Sequence, residues 1–189
     1  MPDRLIVAIT GASGSIYGYS LVRTIVSLGW SVELVITPMG QKVMAYECGF
    51  NEIDYGKAVR LHAIDNLFSP LASGSFQTKG MVVIPCSMNT LGLMANGTGD
   101  NLLARAAQVT MKEGRKLVVV PREMPYSIIF LENMLRLARA GAAIVPASPG
   151  FYHQPKSIDD LVNHVVGRVL DQFNIEHNLF KRWEGKVEE

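Results

Sequence analysis

A chain of 189 residues, 48% hydrophobic and 19% charged, can bury one sizeable core and is not of disordered composition. Its formal net charge of +1 gives no field to gather nucleic acid, and its two cysteines, Cys48 and Cys86, make neither a disulfide framework nor a metal-ligand set. Apolar runs fall short of the ~20 residues of a membrane span and the start carries no signal-peptide pattern. The expectation is therefore a cytoplasmic protein with no nucleic-acid partner, no membrane insertion and no metal.

RLIVAIT reads as a strand entering Gly11, Ala12, Ser13 and Gly14, followed by a helix over 16–27 that ends at Gly29. WSVELVIT reads as a second strand stopped by Pro38, and KVMAYECGF as a short helix. Residues 51–77 read as irregular, with a helical turn around 57–60 and a small-residue loop, ASGSFQTKG. MVVIPCS is the third strand and opens onto Ser87, Met88, Asn89 and Thr90, with helix strongest over 101–112. KLVVVP is the fourth strand, IFLENMLRLARAG a helix ending at a glycine, and AAIVPASP the fifth strand. SIDDLVNHVVGRVLDQF closes the chain as a helix, with Ser157 as cap and Asp160 in capping-box position. Short apolar strands alternating with helices predict an α/β fold: a doubly wound, mostly parallel, Rossmann-like sheet with helices on both faces. One domain is expected over 1–189, its C-terminal helix and tail starting near 157.

Ligands of such sheets lie beyond the carboxyl ends of the strands. The nicotinamide fingerprint Gly-x-Gly-x-x-Gly fails here: the glycines are Gly11, Gly14 and Gly18, Ser13 stands in the middle place, and Glu33 lies inside the second strand. A phosphate-loop lysine is also missing. What remains is either a turn whose amides and Ser13 hydroxyl hold an anion at a helix start, or a glycine turn with no ligand. Ser87, Asn89 and Thr90, with Met88 as a soft apolar surface, suit a heteroaromatic ring, though a plain loop is also polar. Cys86 reads better as a small buried hydrophobe than as a nucleophile.

VPREMP places Arg122 and Glu123 side by side at a strand end, between two prolines. Arg122 suits phosphate recognition and Glu123 acid–base work; the alternative is an exposed turn salt bridge. Arg105 and Lys112 are seven apart on one helix, and Arg168 lies on the closing helix; each also reads as a solvated surface charge. Tyr152 sits in GFYHQP, a constrained loop, where His153 is as readily structural as catalytic.

In order along the chain, TGASGSIYG, SGSF, IPCSMNTL, LARAA, KEGRKLVVVPREMP, LENML, GFYHQP, DDLVNHVVGRVLDQF and the terminal RW resemble the UbiX family of flavin prenyltransferases, within the flavin-containing cysteine decarboxylase superfamily. KEGRKLVVVPREMP leans toward the subgroup associated with phenolic-acid decarboxylases. The resemblance implies FMN held by Gly11, Ala12, Ser13, Thr37, Ser87, Met88, Asn89, Thr90 and Arg122. In its reduced form FMN would accept, at N5 and C6, the dimethylallyl group of dimethylallyl phosphate. Tyr152 and Arg168 would bind the phosphate, with Arg105 and Lys112 contributed across a subunit contact in a homo-dodecamer. Glu123 would act as general acid, with Ser13 and Glu47 beside the reacting atoms, and the basic residues would hold charge on the departing phosphate. The prenylated FMN would pass to a UbiD-type decarboxylase. The chain departs from family habit at Thr37, where serine is common, at Phe130, where histidine is common, and at Tyr126, where leucine is common.

Two other readings use the same residues. An FMN-dependent oxidative decarboxylase of a cysteine-containing substrate would carry a catalytic histidine after the first helix, where this chain has MGQKVMAYECGF. An FMN-binding protein without catalysis leaves Glu123, Lys112 and Arg168 without purpose.

Overall fold

Runs with no polar face, such as LIVAI at 5–9 and MVVIPC at 81–86, are wholly buried, as strands covered on both sides must be. The computed structural model describes residues 3–49 and 56–185. Its strands are β1 (Arg4–Ile9), β2 (Ser31–Ile36), β3 (Val59–His62), β4 (Gly80–Cys86), β5 (Lys116–Pro121) and β6 (Ala143–Ile144). Its helices are α1 (Ser15–Ser27), α2 (Pro38–Cys48), α3 (Met88–Asn96), α4 (Leu102–Lys112), α5 (Ile128–Arg139) and α6 (Ile158–Asp171). The six strands form one sheet in the order β3-β2-β1-β4-β5-β6, every pairing parallel.

Alternate residues of β1 face two separate cores. Leu5, Val7 and Ile9 pack with Leu21 and Ile25 of α1 and with Val165 and Val169 of α6. Ile6 and Ala8 face the other way, toward Leu91 of α3, Ala107 of α4 and Leu137 of α5. The chain winds outward from β1 to β3, then returns to β4 and winds the other way. That reversal, between β1 and β4, opens a crevice at the carboxyl ends of the strands.

The structure departs from the sequence reading at four places. Residues 59–62 are a strand where a helical turn was expected at 57–60, because they pair with β2 from Val32↔Val59 to Val35↔His62; residues 50–55 lie outside the described segment. Residues 88–96 form a helix of their own, capped by Ser87, whose side chain accepts from the Thr90 amide. Pro38 starts α2 as well as ending β2: it fills the first turn, where its missing N–H costs nothing, behind Thr37 as cap. β6 is only two residues long. The capping box at Ser157 and Asp160 is present as expected. Glu33 has its own use: buried, it takes His62 Nε2 at 2.5 Å and Arg4 Nε at 3.2 Å, and Ser69 Oγ lies 2.8 Å from His62 Nδ1. This polar network ties the edge strand to the loop that follows it.

Candidate active site

Helix α1 begins without a side-chain cap of its own; Gly14, at φ +97°, holds the left-handed turn before it. The missing acceptor comes from α2. Glu47 Oε2 accepts from the amides of Gly14 (2.9 Å) and Ser15 (3.0 Å), and the Ser13 hydroxyl also bonds to this carboxylate. Partial burial pushes the Glu47 carboxyl up, but the Ser13 hydroxyl, the two amides and the nearby Arg122 charge outweigh it and hold it below its ordinary range. The anion at this helix start is thus one of the chain's own carboxylates.

A folded value below the unfolded one gives stability that is complete above the ordinary carboxylate range and is lost as pH falls through the lowered value. Glu47→Gln should therefore melt below the unsubstituted protein at neutral pH, and the gap should close below roughly pH 4. A gap that does not change with pH would remove this role from Glu47.

The loop after β4 is fixed from below by Thr10, which is buried at the end of β1. Thr10 Oγ1 donates to the Pro85 carbonyl (2.8 Å) and accepts from the Ser87 amide (2.8 Å). Ser87 Oγ accepts from the Thr90 amide (3.3 Å) and donates to Thr90 Oγ1 (3.0 Å), just as Thr37 Oγ1 accepts from the Gly40 amide (3.0 Å). Met88 and Thr90 are buried, while Asn89 is exposed. The Arg122 amide donates to the Cys86 carbonyl (3.3 Å), which stitches the segment after β5 to the end of β4. Arg122 Nε is buried and has no hydrogen-bond partner among the described residues. Glu123, half-buried, accepts from the Met124 amide at 3.1 Å. Complete burial drives the Cys86 thiol far above its ordinary value, so Cys86 is core and not a thiolate nucleophile.

The crevice therefore joins Ser13, Glu47, Ser87 and Arg122, with Glu123 at its rim. The basic residues lie elsewhere. Lys112 ends α4 and pairs with Glu113, only four residues before the first residue of β5. It sits where β5 begins, whereas Arg122 follows its end, a strand length of about 20 Å away. Arg105, two turns back on α4, donates from Nε to the Ala72 carbonyl (3.3 Å). Arg168 lies in the last turn of α6, just ahead of Phe173, which packs at the start of β4 beside Gly80. Its guanidinium bonds Asp171 (2.7 Å), a carboxylate that also accepts from Arg182 (2.7 Å) and contacts His177 Nε2 (3.2 Å). Tyr152 Oη is 3.0 Å from His164 Nε2, and its ring meets Trp183 edge-on at 6.1 Å between centroids. In a single copy, Lys112 and Arg168 lie at the opposite end of the strands from Arg122 and Glu123.

Sequence reasoning missed Thr10, Asp171 and Arg182. Thr10 looked like the end of a strand, and Asp171 like the polar end of a helix; only long-range contacts give them roles.

The Flavoprotein family profile matches residues 2–170. Flavin prenyltransferase UbiX of Aquifex aeolicus (strain VF5) is 49% identical over 188 residues, an alignment covering 97% of this chain and 100% of that protein. The chain belongs to the UbiX flavin prenyltransferase family. Among solved UbiX structures, AnUbiX (PadA1) in complex with FMN and dimethylallyl pyrophosphate matches with a TM-score of 0.95 at 39% identity, covering 99% of this chain and 100% of that one. A dodecameric FMN-dependent UbiX-like decarboxylase from Escherichia coli O157:H7 matches with a TM-score of 0.92 at 45% identity, covering 96% and 100%.

UbiX membership implies FMN, and the crevice fits a flavin. A Cβ on Gly11 would lie 2.4 Å from Met39 Cγ, so the start of α2 packs directly on bare backbone at the mouth of the loop. The buried, unpartnered Arg122 Nε is a donor in want of an acceptor. No group of three or more His, Cys, Asp or Glu among the described residues could hold a metal ion. No helix among them is long and apolar enough to cross a membrane.

Proposed function

We propose that this chain is a flavin prenyltransferase that moves the dimethylallyl group of dimethylallyl phosphate onto reduced FMN. The observation that carries this reading is the Arg122–Glu123 pair, held at the crevice by the Arg122–Cys86 bond, with the guanidinium Nε buried and unpartnered. Reduced FMN would be the acceptor: N5 would give up its proton and bond the allyl C1 as the C–O bond breaks and phosphate leaves, and C6 would bond the allyl C3 as the double bond takes up a proton at C2 and the C6 proton passes to the departed phosphate or to Glu123. Gly11, Ala12, Ser13, Thr37, Ser87, Met88, Asn89, Thr90 and Arg122 are the residues proposed to hold the flavin. Glu123 gives the departing phosphate a proton, and Arg105, Lys112, Arg168 and Tyr152 hold its charge. Ser13, bonded to Glu47, stands where it can pass a proton at the reacting nitrogen.

The separation of the basic residues from the crevice supports a site shared between copies. A dodecameric relative supports the same arrangement for this chain. The product passes to a UbiD-type decarboxylase, and the cytoplasm is the compartment where reduced flavin is available. An oxidative cysteine decarboxylase is the poorer reading: α2, after the first helix, turns Glu47 toward the glycine loop and contributes no histidine.

The test is anaerobic incubation with reduced FMN and dimethylallyl phosphate, with the pyrophosphate in parallel. A flavin heavier by one C5 unit is expected; unchanged flavin in a protein shown to bind FMN overturns the reading. Mixing two inactive variants, Lys112→Ala and Glu123→Gln, should recover up to about a quarter of activity if sites are shared at random between copies. Recovery at the level of either variant alone would mean that each copy carries its whole site.

A further inference from the structure

We propose that His164 is a positioning residue: it accepts the Gly150 amide on one ring nitrogen and, from the other, turns the Tyr152 hydroxyl outward as a donor to the prenyl phosphate. The inference rests on the prenyl-transfer reading above and adds a residue that the sequence motifs do not assign.

The Gly150 N–H donates to His164 Nδ1 at 3.2 Å, so Nδ1 carries a lone pair and no proton. A neutral imidazole with a bare Nδ1 carries its proton on Nε2. Nε2 is 3.0 Å from Tyr152 Oη, so the ring donates and the phenol oxygen accepts. The one proton of the phenol is then directed away from His164, on a side chain that is 45% exposed. With the opposite tautomer, the phenol would spend its proton on Nε2 and turn lone pairs toward any incoming anion. A phosphate takes only donors, so the tautomer of His164 decides whether Tyr152 attracts or repels it. Arg168 follows His164 by one turn on α6, which puts a guanidinium on the same side of the helix.

The ring is held tightly enough to enforce this choice. His164 is buried, stacked on His153 at 4.9 Å and 6°, and packed on Phe180 at 4.7 Å. Gly150 allows the close approach: a Cβ there would lie 3.0 Å from Tyr152 Cε1 and 3.4 Å from His164 Cε1. The charged and titratable groups around the ring are His153 from the loop, Arg168 and Asp171 from α6, Tyr152, and Arg182 from the tail beside Tyr152. Burial, His153 and Arg168 push the imidazole below its ordinary value, and Asp171 only partly opposes them. A second proton would also set Nδ1–H against the Gly150 N–H.

The test combines His164→Phe, His164→Gln, Tyr152→Phe and the His164→Phe/Tyr152→Phe double variant. His164→Phe should raise KM for dimethylallyl phosphate about tenfold, the size of one lost charge-assisted hydrogen bond, and leave FMN affinity unchanged. His164→Gln, which can both accept and donate, should recover to within about threefold. The double variant should be no worse than Tyr152→Phe alone. An unaltered KM in His164→Phe, or losses that multiply in the double variant, overturns the proposal. If His164→Phe does not fold, the 15N shifts of histidine-labelled unsubstituted protein report the tautomer; a protonated Nδ1 at neutral pH overturns it equally. Lack of product from the unsubstituted protein sinks prenyl transfer itself, whereas multiplying losses in an active protein sink only the role of His164.

Discussion

Glu123→Gln should lower turnover of dimethylallyl phosphate about 10²–10⁴-fold while leaving FMN affinity within about twofold. Phosphate leaves an allylic carbon more readily once protonated, and glutamine keeps the shape of glutamate without a proton to give. Glu123 follows Arg122, whose amide is bonded to the Cys86 carbonyl, so the carboxyl is delivered on a short, anchored segment. Among the described residues its carboxylate accepts from the neighbouring Met124 amide, an interaction that the amide oxygen of glutamine keeps. The substitution should therefore leave stability and flavin binding intact and act on chemistry alone. Rates are read anaerobically from the mass of the flavin product, and FMN affinity by fluorescence titration. Full activity in the variant would take Glu123 out of the reaction.

Gly18→Ala should lower stability by about 3 kcal/mol. A Cβ at this position would lie 2.5 Å from the Ile84 carbonyl oxygen and 2.8 Å from Ile9 Cγ1. The first of these is backbone of β4 and cannot rotate away, so α1 must lift from the sheet. A chain of this size loses roughly 2–4 °C per kcal/mol, giving a fall in Tm of roughly 6–12 °C at matched protomer concentration. FMN affinity should fall with it, because the Ser13 turn that starts α1 moves too. A Tm unchanged within about 1 °C, with FMN affinity retained, would show that α1 has slack over β4.

Gly18 also shows what the sequence could and could not convey. Read as a nicotinamide fingerprint, its glycines fail at Ser13, yet Gly18 still does what a third glycine does there, letting helix and strand close on each other. The alternation of strands and helices, the cap at Ser157 and the Arg122–Glu123 turn were legible because each depends on residues close in sequence. β3 was not: its four residues expose Arg60 and Leu61, and only pairing with β2 makes them a strand. The helix over 88–96 was not told apart from the stronger helical signal at 101–112, because Asn89, Gly92 and Asn96 interrupt an apolar face formed by Met88, Leu91 and Met94. The partnership of Glu47 with the α1 amides spans 33 residues and leaves no local trace. The resemblance implied that Arg105 and Lys112 come across a subunit contact; that Arg168 also lies away from Arg122 in one copy was hidden, since it follows from the direction in which α6 runs.

Asp171 gives Arg168 an unusual freedom. An arginine with a single carboxylate partner strands that partner when it swings to a substrate. Asp171 would keep Arg182 and His177 if Arg168 turned away, so its charge would stay covered. If Arg168 binds the substrate phosphate as proposed, it would act as a hand that lets go of the protein to take hold of the phosphate and returns when the phosphate leaves, with the C-terminal tail still moored through Arg182.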